Sequence, residues 1–296
     1  MTTTAPATHR IATPDGDICW FEWGVPGDAP SLLLLHATGF HARCWDQVAL
    51  ALPPGMHVVA PDHRGHGRSF RPATLADWGA SADVLLPLVD RLGGRPLVGC
   101  GHSMGGYILT RLAARRPAAF RHIVLIDPVI MDPAFYAGQD IAPFPDAAGH
   151  PIAKRRNRWD SREQMRARFV DRLPYAKWDA RVLADYCAHG LLPAPDGEGL
   201  ELACPPALEA SVYQNGLRTD PHRWLADLRV PTTLIRAPTG ERRGPLDFST
   251  SPTWLGLGAA IGAARDELWA ENSHFIPMES PDRVADLLAG LAANQG

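Results

Sequence analysis

The length, composition and charge of the chain limit what it can be. Its 296 residues, 46% of them hydrophobic, suffice to bury a large core, either as one domain or as a core with an insertion. The formal net charge of −3 argues against nucleic acid or an anionic membrane as the main partner.

Apolar runs that end in turn residues alternate with helical patterns along most of the chain. The residues at 18–23 predict an antiparallel edge hairpin. Predicted strands follow at 31–36, 57–62, 97–100, 122–127, 232–236 and 267–270, and predicted helices at 75–92, 107–115 and 284–291. Near-continuous apolar runs are typical of strands covered on both faces. The order predicts a doubly wound, mostly parallel α/β sheet that binds ligands at the carboxyl ends of its strands.

One segment interrupts this alternation. From about residue 131 to 220 there is no buried strand run, and short helical patterns rich in Phe, Tyr and Trp take its place. Ser161 and Gln164 have the spacing of a capping box and predict a helix start. We predict a helical cap at 131–220, inserted into a core of residues 1–130 and 221–296. Its aromatic side chains either line a pocket or hold the cap together.

Cysteine usage and apolar segments predict the compartment. The five cysteines are odd in number, scattered and without C-x-x-C spacing, which fits thiols in a reducing environment. Residues 1–10 have no apolar core, so we interpret them as a loose tail rather than a signal peptide. No apolar run approaches the about 20 residues that span a bilayer. We expect a cytoplasmic protein.

The pentapeptide at residues 101–105 proposes a reaction. It reads Gly-His-Ser-Met-Gly and follows a predicted strand, with a predicted helix after it. A serine hydroxyl attacks carbonyls poorly unless it is held exposed beside a base, and a sharp strand-to-helix turn supplies that exposure. The sequence therefore predicts Ser103 as a nucleophile.

Four blocks together resemble the α/β-hydrolase fold family. They are residues 35–40, 61–69, 101–105 and 272–277, in that order, and the resemblance extends over nearly the whole chain. Their joint presence is specific for the fold and much less so for the substrate. The resemblance implies a serine hydrolase of the esterase-like branch with a helical cap.

The resemblance also implies roles for individual residues. Ser103 matches the nucleophile and His274 the base, in the family's chain order. The backbone N–H groups of Thr38 and Met104 match the oxyanion hole, which stabilises charge that develops in the tetrahedral intermediate. The family usually has Gly where this chain has Ala37. Neither a metal nor an organic cofactor is implied.

The acid of the triad stays open between three residues. Family members usually place it just after the penultimate strand, where this chain has Glu241 and Asp247. A minority, including haloalkane-dehalogenase-like members, place it at the end of the earlier strand, where Asp127 stands. A strand holds Asp127 more firmly than an irregular loop holds the others, so we favour Asp127 and keep Asp247 and Glu241 as alternatives.

The remaining histidines are interpreted as structural. His102, beside the nucleophile, is expected to pack or bond locally. His63 and His66 lie in a glycine-rich turn that the family uses structurally, so their spacing is not taken as a metal site.

The expected substrate is a small-to-medium, fairly apolar carboxylic ester, thioester or lactone, cleaved through an acyl-enzyme intermediate. The alternatives are a carbon–carbon bond hydrolase of the ring-cleavage type and a ligand-binding receptor on a hydrolase scaffold. The basic cluster Lys154 to Arg158 either binds an anionic substrate group or is a solvated cap surface, as charge runs usually are. The oligomeric state is left open.

Overall fold

A mostly parallel sheet organises the computed structural model, which describes residues 5–75, 77–138, 146–241, 244 and 247–293. The strands are, in chain order, β1 (Ala7–Ile11), β2 (Ile18–Trp23), β3 (Leu32–Leu35), β4 (Val58–Pro61), β5 (Leu97–His102), β6 (Phe120–Ile126), β7 (Arg158–Trp159), β8 (Leu191–Pro193), β9 (Leu200–Leu202), β10 (Thr232–Arg236) and β11 (Arg265–Leu268). Within those residues, eight strands form the main sheet in the order β1-β2-β4-β3-β5-β6-β10-β11. Neighbours from β4 to β11 pair parallel, whereas β2 pairs antiparallel with β1 and β4.

Helices cover both faces of this sheet. In chain order they are α1 (Asp46–Ala51), α2 (Trp78–Asp83), α3 (Leu86–Leu92), α4 (Met104–Arg115), α5 (Pro133–Ala137), α6 (Arg162–Phe169), α7 (Ala180–His189), α8 (Pro206–Asn215), α9 (His222–Leu225), α10 (Leu257–Ala260), α11 (Ile276–Glu279) and α12 (Pro281–Ala293). Successive strand residues face opposite sides, so Leu33 and Leu35 pack with α2–α4, and Leu32 and Leu34 pack with α1 and α12. This two-sided burial confirms the predicted α/β class.

The region predicted as one helix at 75–92 consists of two helices. Asp77 caps α2 by accepting from the Ala80 N–H at 2.8 Å. Pro87 stands in the first turn of α3, where its missing N–H is tolerated, whereas in the middle of a continuous helix it would break the hydrogen-bond ladder. The proline explains why the prediction of a single helix was wrong.

The N-terminal residues differ from their prediction. Ala7–Ile11 is the edge strand β1, paired with β2 from Ala7 opposite Glu22 to Ile11 opposite Ile18. The interpretation as a loose tail was therefore wrong for residues 7–10, because backbone pairing to β2 orders them. Residues 1–4 lie outside the described part of the chain.

Between β6 and β10 the chain leaves the main sheet. Helices α5–α9 lie here, together with a three-stranded sheet in the order β7-β9-β8. No pattern in the sequence predicts these strands, since each has only two or three residues, too few for a periodicity. Ser161 caps α6 as predicted, accepting from the Gln164 N–H at 3.0 Å. The division into a core and a cap at 131–220 stays a prediction, and residues 139–145 of that range are outside the description.

None of the helices in the described part of the chain is long and apolar enough to cross a membrane.

Candidate active site

Ser103 stands in a strained turn between β5 and α4. Its backbone has φ 57° and ψ −118°, a conformation that non-glycine residues rarely adopt. Glycines make the turn possible, because a Cβ at Gly101 would overlap the Gly105 backbone and one at Gly105 would overlap the Leu35 carbonyl. The surroundings therefore hold the serine side chain in one place.

The three favoured residues form a hydrogen-bonded chain. His274 Nε2 lies 2.9 Å from the Ser103 Oγ, and His274 Nδ1 lies 2.6 Å from Asp127 Oδ2. An ionised carboxylate only accepts hydrogen bonds, so this arrangement assigns the proton to Nδ1 and leaves Nε2 to accept from the serine. The geometry is that of a nucleophile, a base and an orienting acid.

Asp127 is fully buried and well supported. It follows β6 with φ 44°, another strained position. Its second oxygen, Oδ1, accepts from the Ser251 hydroxyl at 2.5 Å and from the Ala237 N–H at 3.1 Å. These donors occupy Oδ1 and orient Oδ2 toward His274.

The alternative acids lie elsewhere. Asp247 Oδ1 accepts from the Ser249 N–H at 2.9 Å, and the Glu241 side chain is exposed. Asp127 is thus the carboxylate that the structure brings to the imidazole. His102 was expected to bond locally. Its Nε2 lies 2.7 Å from the His274 carbonyl oxygen, so it contacts the backbone of the base.

The residues predicted for the oxyanion hole face each other. Met104 is the first residue of α4, where the N–H has no acceptor within the helix. Thr38 lies in the loop after β3, and its hydroxyl contacts the Met104 sulfur at 3.3 Å. The Ala37 carbonyl accepts from the Phe40 N–H at 3.2 Å and lies 2.7 Å from His36 Nδ1.

Buried histidines hold this loop. The His63 N–H donates to His36 Nε2 at 3.0 Å, and His63 Nε2 lies 3.0 Å from the His36 carbonyl. Burial, reinforced by the neighbouring imidazoles, lowers the pKa of His63 to about 3, and burial lowers that of His66 to about 4. Neutral rings with backbone partners agree with the structural roles predicted for His63 and His66.

A cavity of about 440 Å³ opens above Ser103 and His274. The cap aromatics Tyr175, Trp178 and Tyr186 line it and also contact one another, with ring centroids 4.8 to 5.9 Å apart. Both predicted roles of the cap aromatics are therefore present in the same side chains. A largely apolar cavity with a few polar groups is the usual form of a small-molecule site.

The basic cluster at 154–158 divides between surface and cavity. Arg158 pairs with Asp196 at 2.7 Å on the surface, and Arg156 stacks over Trp159 at 4.3 Å. Arg155 turns inward, lines the cavity and pairs with the buried Glu209 at 2.6 Å. Sequence reasoning missed Glu209 altogether, because a glutamate among helix formers carries no sign of burial.

A further group has the residue types of a cation site. Ligand atoms of Asp46, Asp185 and His189 lie within 4.8 Å of one another, away from Ser103. The guanidinium of Arg43 already holds Asp46 through two hydrogen bonds of 2.6 and 2.8 Å. The Gln47 amide donates to Asp185 at 2.6 Å. Protein donors thus satisfy these carboxylates.

The fold and the geometry of this site define a class of protein. A family model described as the alpha/beta hydrolase family matches residues 32–287. The chain therefore belongs to the α/β-hydrolase family, in which it is an esterase-like enzyme.

Two named relatives are similar to this chain, one over most of its length and the other over about a third of it. The lipase LipV of Mycobacterium tuberculosis is 38% identical over 279 residues, which cover 90% of this chain and 94% of the lipase. The bifunctional esterase/perhydrolase DCH of Acinetobacter calcoaceticus is 38% identical over 109 residues, covering 36% of this chain and 39% of that enzyme.

Solved structures extend the likeness to nearly the full length. The thioesterase domain from the curacin biosynthetic pathway matches with a TM-score of 0.76 at 20% identity, covering 97% of this chain and 100% of the domain. The enol-lactonase from Burkholderia xenovorans matches with a TM-score of 0.67 at 19% identity, covering 97% and 100%. At such identities the likeness establishes the fold alone.

Proposed function

We propose that the protein is a serine hydrolase that cleaves a small-to-medium, fairly apolar carboxylic ester, thioester or lactone through an acyl-enzyme. The observation that carries the proposal is the hydrogen-bonded chain from Ser103 through His274 to Asp127, which begins at the floor of the cavity. The lipase and esterase names of the relatives support the same chemistry.

The proposed reaction has two halves. His274 takes the proton of the Ser103 hydroxyl as the oxygen attacks the carbonyl carbon, and the N–H groups of Thr38 and Met104 stabilise the resulting oxyanion. His274 then gives that proton to the departing alcohol, leaving the acyl group on Ser103. Water, deprotonated by His274, attacks the acyl-enzyme, and His274 returns that proton to the Ser103 oxygen as the acid leaves. Asp127 stabilises the imidazolium in both halves.

A burst experiment tests this proposal. Wild type is mixed with p-nitrophenyl esters of graded acyl length, and p-nitrophenolate is followed from milliseconds to minutes. We expect a burst that approaches one equivalent of enzyme wherever deacylation is slower than acylation, followed by steady turnover to acid. Absence of turnover for every ester, together with no reaction with a fluorophosphonate, would instead favour the receptor alternative.

The cellular compartment and the size of the substrate are part of the same proposal. All five cysteines are unpaired and buried, which supports a reducing compartment such as the cytoplasm. The small-molecule size of the cavity supports a substrate of low molecular weight rather than a polymer.

A further inference from the structure

The cavity changes character along helix α8. Glu209 and Tyr213 lie one turn apart on α8 and both line the cavity, and Leu217 lines it one turn further along the chain. A rise of 1.5 Å per residue places Glu209 and Tyr213 about 6 Å apart along the axis. Trp78 and Val129 line the cavity too. The cavity thus has a charged end at Glu209, whereas its lining elsewhere is mostly apolar.

The charged end is a nearly buried ion pair. Arg155 Nη1 donates to Glu209 Oε2 at 2.6 Å. The Glu209 side chain is 3% exposed, whereas 25% of the Arg155 side chain stays accessible and lines the cavity. A guanidinium has five N–H donors; this carboxylate takes one of them, and the Tyr186 phenol is a second hydrogen-bond partner. Arg155 therefore keeps further donors for a molecule in the cavity.

This pair stands next to the proposed oxyanion hole. A Cβ built on Gly39 would overlap the Glu209 carboxylate, so that carboxylate lies directly against the Gly39 backbone. Gly39 follows Thr38, whose N–H is the proposed oxyanion donor. A substrate held with its carbonyl at Ser103 therefore reaches Arg155 within a few bonds of the reacting centre.

We propose that the Arg155–Glu209 pair selects substrates that carry an uncharged hydrogen-bond acceptor, such as a ketone or amide carbonyl, on the arm beside the ester; this rests on the proposed function. A bare alkyl arm covers the Arg155 donors without pairing them, which is costly in a dry site. A carboxylate meets the negative Glu209 together with Arg155 and also loses its hydration. A neutral acceptor gains the hydrogen bond and avoids both costs.

Two isosteric substrate trios test the proposal, one for each arm of the ester. The acyl trio is p-nitrophenyl 5-methylhexanoate, p-nitrophenyl 5-oxohexanoate and mono-p-nitrophenyl glutarate. The alcohol trio is 4-methylpentyl acetate, 4-oxopentyl acetate and 4-acetoxybutanoate, whose hydrolysis is followed by proton release. Within each trio the members differ only in an alkyl, ketone or carboxylate end. In at least one trio we expect the ketone to exceed both others in kcat/KM by at least about tenfold.

Variants test whether the preference for the ketone depends on the Arg155–Glu209 pair. Arg155→Met removes the donors and is expected to lower the ketone preference to about twofold or less, while hydrolysis of the alkyl member persists. Arg156→Met, one residue along on the cap surface, is the matched control and keeps the preference. Should Arg155→Met fold poorly, the double variant R155M/E209Q leaves neither buried charge unpaired and is expected to lose the same preference.

The outcomes separate this proposal from the general one. A ketone no better than the alkyl member in both trios, a carboxylate that reacts best, or a preference that survives both Arg155 variants would overturn the selection. Failure of all six esters to react in a Ser103-dependent manner would instead overturn the proposed function.

Discussion

The strand ends and the cap line one cavity, yet they hold their side chains differently. At the strand ends, Ser103 and Asp127 have positive φ angles, and a backbone N–H and a buried hydroxyl also hold Asp127. In the cap, Tyr175 and Tyr186 are held by ring packing, and Arg155 by one carboxylate. Strained turns accept few residue types, whereas ring packing accepts many. The reacting residues are therefore marked in the sequence by a motif with strict spacing. The cap residues proposed to select the substrate are marked only by the composition of their segment.

The largest expected effect tests the strand ends. Ser103→Ala is expected to lower kcat for p-nitrophenyl esters by about 10⁴-fold or more, because the substitution removes the attacking oxygen. Steady-state assays of wild type and variant, with circular dichroism to check folding, measure it. A variant that keeps a tenth of the activity would show that another group performs the attack.

The next effect decides the acid. Asp127→Asn is expected to lower kcat by about 10³- to 10⁴-fold, since the amide cannot fix the imidazole tautomer or stabilise its charge. Asp247→Asn is the matched control and should stay within a few-fold of wild type. The opposite ranking of these two variants would return the role to Asp247.

Backbone crowding at the strand ends supplies a stability test. Gly105→Ala places a methyl against the Leu35 carbonyl and is expected to lower the free energy of unfolding by more than about 4 kcal/mol. Gly290→Ala, at an uncrowded position in α12, should raise that free energy by about 0.5 to 1 kcal/mol. Urea unfolding of both variants checks the contrast, and equal effects would remove the argument from crowding.

Acid should weaken the support of the oxyanion loop. The folded-state pKa values of His63 and His66, about 3 and 4, lie below the unfolded value near 6.5. Their contribution to stability is complete above pH 6.5 and is lost as the pH falls toward those values. Asp46, whose pKa burial raises to about 6, acts in the opposite direction.

From pH 6.5 to 4.5 we expect the free energy of unfolding to fall by more than about 3 kcal/mol, because burial also lowers the pKa of His41 to about 3 and that of His189 to about 4, which adds to the loss. Urea titrations at the two pH values measure it. An unchanged or higher stability at pH 4.5 would contradict buried, neutral imidazoles under this loop.

The smallest effect belongs to the cap. Ser161→Ala removes the N-cap of α6 and is expected to cost about 1 kcal/mol of stability while kcat stays near wild type. Thermal unfolding and one ester assay measure it. A large loss of kcat would mean that the cap positions the reacting groups, which would break the comparison between the two regions.

The sequence predicted those parts that local rules determine. The alternation of strands and helices along the chain and the positions of Ser103 and His274 follow from short apolar runs and from motifs with strict spacing. The acid stayed open, because nothing in the sequence tells which carboxylate lies beside an imidazole 147 residues from Asp127. Pro87 indicates a break between α2 and α3. The helical periodicity of the residues around it nevertheless predicts one continuous helix.

The cap contains contacts that the sequence alone does not predict. Residues 154–158 look alike in sequence, and only Arg155 turns inward, because its partner Glu209 stands 54 residues later on α8. Burial of one member of a charge run depends on that distant contact, which no local pattern records. The strands β8 and β9 were not predicted for a related reason. They form because they pair with each other, and neither has a periodicity of its own.

Acid quenching during the burst tests the central claim most directly. Enzyme mixed with a p-nitrophenyl ester is stopped within the burst, digested, and mapped by mass spectrometry. The proposal predicts one acyl group per enzyme on the peptide that holds Ser103, absent in Ser103→Ala and released when the native enzyme is left to turn over. An acyl group on another residue, or turnover that depends on Ser103 without any acylated peptide, would contradict it.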